Sequence, residues 1–155
     1  MKWKMPPRIK VYEALGAVVD GRVKVKGDEG EVVSSKGNKT YTVKYDGKTS
    51  IMVNDNGSFW RGYLGYPAIS FLMIKGVIDY DKKIARSLMG IKWNDINKRY
   101  KREYGETEKY CLDLVEKRGM NRGKVMEEVD RIYGVISKSN FQMFGKKIFP
   151  AKESI

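Results

Sequence analysis

The chain has 155 residues and is 41% hydrophobic, which is sufficient for a single domain with a buried core. It has no histidine and one cysteine, which excludes catalysis by histidine, metal sites that use histidine or several cysteines, and an intramolecular disulfide. The 31 Lys and Arg against 19 Asp and Glu give a formal net charge of +12, so polyanions are the first partners to consider.

The composition also bears on source and compartment. In a thermophilic protein, surface charges of both signs are common, which would account for the 32% of charged residues but not for the positive excess. No apolar stretch approaches the roughly 18 to 20 residues that span a bilayer. The basic start is followed by a segment that contains Glu13, unlike a secretory signal. We therefore expect a cytoplasmic protein with no membrane partner.

The first predicted helix covers residues 8–20. Its apolar side chains recur at helical spacing, at Ile9, Tyr12, Leu15 and Val19. Two prolines precede it, and proline is favoured where a helix starts. One face of this helix should therefore pack against another element.

Four short strands are predicted next, over residues 22–26, 31–35, 39–45 and 49–54. Valine and tyrosine alternate there with threonine and charged residues, which is the period-two pattern of half-buried strands. Glycine-containing turns separate them, and Asp46-Gly47 is a strong hairpin signal. The predicted fold class is α+β, with a four-stranded antiparallel meander packed with an N-terminal helix and a buried central helix, followed by a helical C-terminal half.

A glycine-rich connection leads from the last strand to the central helix, which begins around Pro67. Besides Phe59, three aromatic residues lie in this connection, at Trp60, Tyr63 and Tyr66. We expect the glycines to let the chain turn and the aromatics to pack across the turn, because bulky aromatics usually contribute burial first. An exposed stacking site is the alternative.

Helical patterns fill residues 79–140. Asp79 and Asp81 are interpreted as an N-terminal cap of the next helix, although two carboxylates could also bind a hard cation. A helix is predicted over residues 92–104, and its aromatic stripe is more typical of a core than of a base-stacking surface. Two further helices, over 106–119 and 121–138, are predicted to form an antiparallel hairpin.

The chain thus divides into three predicted segments. Residues 1–78 form the α+β core, and residues 79–140 form a helical region that packs on it within the same domain. Residues 141–155 are a basic tail that either remains an arm or docks through its phenylalanines.

The positive charge is concentrated in the middle of the chain, where residues 61–102 hold ten basic and three acidic side chains. Such a cluster on neighbouring helices is typical of a surface that contacts phosphates, although ordinary solvated helix faces are the alternative. With two tail lysines, the candidate nucleic-acid-binding residues are Arg61, Lys75, Lys82, Lys83, Arg86, Lys92, Lys98, Arg99, Lys101, Arg102, Lys146 and Lys147.

The sequence contains no recognisable catalytic motif. The candidate carboxylates are Glu13, Asp46, Asp55, Asp79 and Asp81, but their spacing does not match a metal-dependent nuclease. The glycines match no phosphate-binding loop. Cys111 lies on an apolar helical stripe and is interpreted as a small buried hydrophobe. No cofactor, metal site or catalytic residue is predicted.

Residues 39–75 resemble the ββα layout of the SWIM-type zinc finger: a strand, an Asp-Gly hairpin, a second strand, an irregular connection and a helix that starts at YPAISFLM. That family places its ligands where Ser50, Met52, Tyr66 and Ala68 stand here, so the four ligands are absent. The resemblance implies a metal-free relative, and SWIM domains are associated with binding DNA or proteins. The rest of the chain is similar in style to conserved uncharacterised archaeal proteins.

Three functions remain open. The first is a non-catalytic protein that binds DNA or RNA by contacting the phosphate backbone through the basic helical surface. The second is a protein-interaction module that docks on a larger complex through the C-terminal helical hairpin. The third is a nuclease that uses a metal held by oxygen ligands, with Asp79 and Asp81 as the candidate ligands.

Overall fold

The computed structural model describes residues 1–154. Helix α1 (Ile9–Val19) is followed by strands β1 (Val23–Lys26), β2 (Glu29–Val33), β3 (Thr40–Tyr45) and β4 (Ser50–Val53). A π-helical turn (Gly57–Arg61) leads to α2 (Tyr66–Lys75), α3 (Lys82–Ser87), α4 (Trp93–Arg99), α5 (Tyr104–Lys117), α6 (Arg122–Ser139) and β5 (Gln142–Met143). The predicted α+β class is confirmed.

The sheet has five strands in the order β1-β2-β3-β4-β5. The first four are antiparallel neighbours in chain order, as predicted. Strand β5 lies parallel to β4 and pairs Gln142 with Ser50 and Met143 with Ile51. The sheet is therefore mixed, and the prediction of a purely antiparallel four-stranded sheet is wrong. The difference arises because the chain returns after α6 and covers the free edge of β4, which would otherwise expose unpaired backbone groups.

Helix α2 lies on the sheet and is buried from Pro67 to Met73, which confirms the predicted central buried helix. It contacts all of the first four strands, and α1 packs against it. At the sheet, the ring of Phe71 meets the ring of Tyr45 edge-on at 6.1 Å. Burying such a side chain contributes roughly 1.5–3 kcal/mol, so this helix is a main source of stability.

The predicted helix cap at Asp81 is present, and a second side-chain cap lies at Asn121. The Asp81 Oδ1 atom accepts hydrogen bonds from the amides of Lys83 and Ile84, at 2.9 and 3.1 Å. Asn121 Oδ1 accepts one from the Lys124 amide at 3.1 Å, where α6 begins. Both side chains satisfy amides that a helix start leaves without partners.

The predicted single helix over residues 92–104 is wrong. Helix α4 ends at Arg99, and α5 starts at Tyr104. Between them Lys101 and Arg102 have φ of 50° and 63°, in the left-handed region that ends a helix. The break turns the chain, and it leaves Trp93 and Ile96 buried while Tyr100 and Tyr104 are half-buried.

The tail runs back along the sheet. Phe141 is buried, and the Phe144 amide donates to the Ile51 carbonyl at 3.3 Å. Further on, the Ala151 amide donates to the Asn54 carbonyl at 3.0 Å. Phe149 is exposed and stacks on the ring of Phe59 at 5.7 Å. The segment after α6 thus contacts both the edge of β4 and the connection that follows it.

Cys111 is buried in α5, as predicted, and burial raises the pKa of its thiol to about 12. It is therefore a protonated core residue at neutral pH. Among residues 1–154, no helix combines the length and the apolar character that crossing a bilayer requires.

Candidate functional site

The connection between β4 and α2 is closed by a buried carboxylate. Asp55 Oδ1 accepts a hydrogen bond from the Ser58 hydroxyl at 2.5 Å, and Asp55 Oδ2 accepts one from the Ser58 amide at 3.2 Å. The Ser58 hydroxyl oxygen in turn accepts from the Gly65 amide at 3.1 Å. These bonds tie the beginning of the π-helical turn to Gly65, the residue just before α2.

Two glycines of this connection are explained by close approach. A Cβ atom at Gly57 would lie 2.3 Å from the hydroxyl oxygen of Tyr63, and one at Gly65 would lie 2.3 Å from Asp55 Oδ2. Both distances are shorter than any normal contact, so a side chain at either position would displace its neighbour. The glycines therefore allow the chain to fold tightly around Asp55, rather than merely making it flexible.

A pocket of about 270 Å³, called here the polar pocket, opens beside this connection. It lies between α1, the β2–β3 turn, the β4–α2 connection, α4 and the start of α5. Its lining is almost entirely polar and consists of Lys10, Glu13, Ser34, Ser35, Asn38, Lys39, Tyr41, Asp55, Asn56, Gly57, Tyr63, Tyr66, Asn94, Asn97, Lys98, Arg102, Tyr104 and Glu153.

Opposite charges meet at the bottom of the polar pocket. Lys10 Nζ lies 3.0 Å from Glu13 Oε2, and both side chains are largely buried. Burial opposes the charge on Lys10, but Glu13, Tyr63 and Tyr104 outweigh it and raise the lysine pKa, so the ammonium stays charged. Burial raises the pKa of Asp55 above its ordinary value, against the hydrogen bonds from Ser58 and the charge of Lys10.

Tyrosines line the same pocket. The rings of Tyr41 and Tyr66 meet edge-on at 6.0 Å. Burial, together with the charges of Asp55 and Glu13, raises the pKa of Tyr41 to about 12. Burial also raises the pKa of Tyr63 and of Tyr66. These phenols are therefore neutral at physiological pH and can donate hydrogen bonds to a ligand.

One buried amide in the pocket has an unused hydrogen-bonding atom. Asn97, on α4, is 7% exposed. Within residues 1–154, its Oδ1 atom accepts no hydrogen bond. Leaving a buried acceptor unsatisfied costs about 1–3 kcal/mol, so such atoms in folded proteins call for an explanation.

A wider groove of about 730 Å³, called here the aromatic groove, adjoins the polar pocket. The two share Asn56, Gly57, Tyr63, Arg102 and Tyr104, and the aromatic groove adds Pro7, Trp60 and Arg61.

Trp60, on the wall of the aromatic groove, is 70% exposed, whereas Trp3 and Trp93 are 4% and 2% exposed. The prediction that Trp60 packs across the turn is therefore wrong, while Tyr63 and Tyr66 are half-buried. The physical reason is the π-helical turn, which leaves Trp60 on its outer side with the ring edge-on to Phe59 at 4.6 Å.

Three of the candidate nucleic-acid-binding residues share these two cavities. Arg61 lines the aromatic groove, Lys98 lines the polar pocket, and Arg102 lines both. Lys147 lies next to the π-helical turn, where its Nζ donates to the Phe59 carbonyl at 3.0 Å. Arg102 reaches this position because the chain breaks between α4 and α5.

The other candidates lie elsewhere. Lys75 pairs with Asp28 at 3.1 Å beside the β1–β2 turn. Arg99 stacks over the ring of Tyr110 at 5.9 Å. The remaining candidates lie on or next to α3, at the ends of α4 and in the tail, namely Lys82, Lys83, Arg86, Lys92, Lys101 and Lys146.

Several pocket residues were not singled out from the sequence, among them Lys10, Tyr41 and Asn97. A signal for one of them was present: Lys10 and Glu13 lie three residues apart on α1, where they interrupt an otherwise apolar helix. Such charges inside a buried helix often serve a function. Asp79 and Asp81 do not enter the pocket lining. Within residues 1–154, no group of three or more acidic or cysteine side chains could hold a metal ion.

The fold and the cavities define an α+β protein with a mixed five-stranded sheet and a polar site beside the sheet. The chain belongs to a family described as uncharacterised conserved protein UCP014422, whose model matches residues 3–142. The matched segment contains every residue of the two cavities except Glu153. No curated protein and no solved structure matches the chain significantly.

Proposed function

We propose that the protein binds single-stranded DNA or RNA along the aromatic groove, without catalysis. The observation that carries the proposal is the exposed ring of Trp60 in a groove that is also lined by Arg61 and Arg102. Proteins that hold single strands combine aromatic side chains, on which bases stack, with cations that contact the backbone.

The cations at the aromatic groove and at the adjoining polar pocket are available for phosphates. Within residues 1–154, neither Arg61, Lys98 nor Arg102 pairs with a carboxylate. The net charge of +12 adds a long-range attraction for polyanions. The proposed surface is thus narrower than the whole basic helical region and centres on the break between α4 and α5.

The resemblance of residues 39–75 to a metal-free SWIM-type finger supports the same proposal, since such domains are associated with binding DNA or proteins. Strands β3 and β4 and helix α2 follow one another in the order of that finger. The Asp55–Ser58 hydrogen bonds close the connection where a zinc finger would use its metal. A protein partner, which such domains also bind, is the outcome to consider if nucleic acid does not bind.

Fluorescence anisotropy with labelled single-stranded DNA and RNA oligonucleotides tests the proposal. We expect salt-sensitive binding that weakens when Arg61 and Arg102 are both changed to Gln. The slope of log K against log salt should become shallower by about 1.4, since each phosphate contact on a single strand contributes roughly 0.7. Changing Lys82 and Lys83 on α3 to Gln removes the same charge and is the matched control. No binding at low salt, or equal effects of the two double variants, would refute the groove as the site.

A further inference from the structure

The lining of the polar pocket changes character with depth. Its buried part contains carboxylate and amide oxygens, from Glu13, Asp55 and Asn97. Its outer part carries the cations Lys39, Lys98 and Arg102, of which the last two are exposed. A ligand that fits both parts has hydrogen-bond donors at one end and a negative charge at the other. A nucleotide has this arrangement, with amino groups on its base and a phosphate on its sugar.

The buried acceptors lack sufficient donors within the protein. Asn97 Oδ1 is buried and, in the part of the chain that the structure describes, unpaired. Asp55 is buried, and among residues 1–154 the side-chain partner of both its oxygens is Ser58. Lys10, the buried cation here, is already engaged by Glu13. Since each carboxylate oxygen can accept a second hydrogen bond, a ligand with N–H groups would satisfy atoms that the protein leaves free.

Size and shape favour a single base. At about 270 Å³, the polar pocket lies just below the usual range for small-molecule sites, which starts at about 300 Å³, so it suits a ligand as small as one base. Tyr63, Tyr66 and Tyr104 line its walls. Proteins that read single strands commonly place an unstacked base against aromatic rings and bond its edge. The aromatic groove shares five lining residues with the pocket, so a strand in the groove passes the entrance.

We propose that the polar pocket receives one unstacked base of the bound strand, with an amino-bearing edge at Glu13, Asp55 and Asn97 and its phosphate at Lys98 and Arg102. This inference rests on the proposed binding of single strands and adds a base preference to it. At position 4 cytosine presents an amino group with two N–H donors where uracil presents a carbonyl acceptor, while uracil donates one N–H at position 3, so cytosine offers two donors to uracil's one. The acceptor-rich floor therefore selects cytosine over uracil.

The test compares eight-nucleotide oligocytidylate and oligouridylate, which carry the same charge and differ in the hydrogen-bonding groups at positions 3 and 4 of the base. Dissociation constants are measured by fluorescence anisotropy for the wild-type protein and for Asn97→Ala. We expect oligocytidylate to bind about tenfold more tightly, as one good base contact discriminates by about 1.4 kcal/mol, a factor of ten. In Asn97→Ala the preference should fall to within about threefold while binding of oligouridylate is retained. Circular dichroism checks that the variant is folded, and Glu13→Gln serves as a second, nearly isosteric variant.

The outcomes separate the two proposals. Equal affinity of the wild-type protein for both oligonucleotides would overturn the base pocket and leave the proposed function standing. A preference that persists unchanged in both variants would also overturn it, because the discrimination would then come from another part of the surface. Absence of binding at low salt to these two oligonucleotides and to labelled single-stranded DNA would overturn the proposed function and the base pocket together.

Discussion

The α5–α6 hairpin and the polar pocket are stabilised in different ways. In α6, four inward positions are apolar and fully or nearly buried, Val125, Val129, Ile132 and Ile136, and the buried Glu128 pairs with Arg131 at 2.7 Å. In the pocket, the buried positions are Glu13, Ser34, Asp55 and Asn97. Burying apolar groups favours folding, whereas burying polar and charged groups opposes it unless each finds a partner. The same chain builds an apolar interior in the hairpin and keeps buried polar side chains in the pocket. We attribute those polar side chains to binding rather than to stability.

The largest effect on stability is expected in the hairpin. Changing Ile132 to Ala should lower the free energy of unfolding by about 2–5 kcal/mol, because a fully buried side chain is lost and a cavity remains. Urea unfolding followed by circular dichroism measures the change. Oligonucleotide affinity of the folded fraction should be unaltered, since Ile132 lies in neither cavity. A change below about 1 kcal/mol would mean that the hairpin contributes little to the core.

A smaller loss is expected from Gly65→Ala in the β4–α2 connection. The added Cβ would meet Asp55 Oδ2 at 2.3 Å, and overpacking of this kind typically costs about 1–3 kcal/mol. Because Asp55 would move, oligonucleotide binding should weaken as well, which the anisotropy assay detects.

Gly134→Ala in α6 is the matched control for Gly65→Ala. A Cβ at Gly134 meets no atom of residues 1–154 within 4 Å, so the same substitution should raise stability there, by about 0.8–1 kcal/mol of helix propensity. If both substitutions shifted the urea midpoint in the same direction, the close approach at Gly65 would not be a constraint.

The smallest expected effect is a dependence of stability on pH that comes from Asp55. Its pKa is raised above the ordinary 3.8 by burial, so the folded state holds the proton more tightly than the unfolded state does. The contribution of Asp55 to stability is therefore greatest below pH 3.8 and falls as the pH rises to the folded-state pKa. Relative to Asp55→Asn, the wild-type protein should lose stability between pH 4 and neutrality, as measured by urea unfolding. A difference that stays constant, or that grows in favour of the wild type, would contradict a raised pKa.

Much of the fold follows from local patterns. Alternating valines and the Asp46-Gly47 turn predicted the meander, and the apolar run after Pro67 predicted the buried helix α2. Strand β5 was missed because it is two residues long and pairs with residues 92 positions earlier, which no local pattern indicates. The break between α4 and α5 was missed because Lys101 and Arg102, rather than glycine, take the left-handed conformation.

The candidate site was predictable only in part. The positive charge at Arg61, Lys98 and Arg102 and the aromatic connection were visible in the sequence. Their convergence was not, because α1, the β2–β3 turn, the β4–α2 connection and α4 contribute to one pocket from distant positions in the chain. The burial of Asp55 and the exposure of Trp60 both depend on the π-helical turn, which has no reliable sequence signature.

Intrinsic tryptophan fluorescence during titration with a single-stranded oligonucleotide tests the central claim most directly. Trp60 is the exposed tryptophan, whereas Trp3 and Trp93 are buried, so a base that stacks in the aromatic groove should quench Trp60 selectively. We predict saturable quenching with the same dissociation constant as anisotropy, and its loss in Trp60→Phe. Binding detected by anisotropy with no change in tryptophan emission would contradict the claim that the strand lies in the aromatic groove.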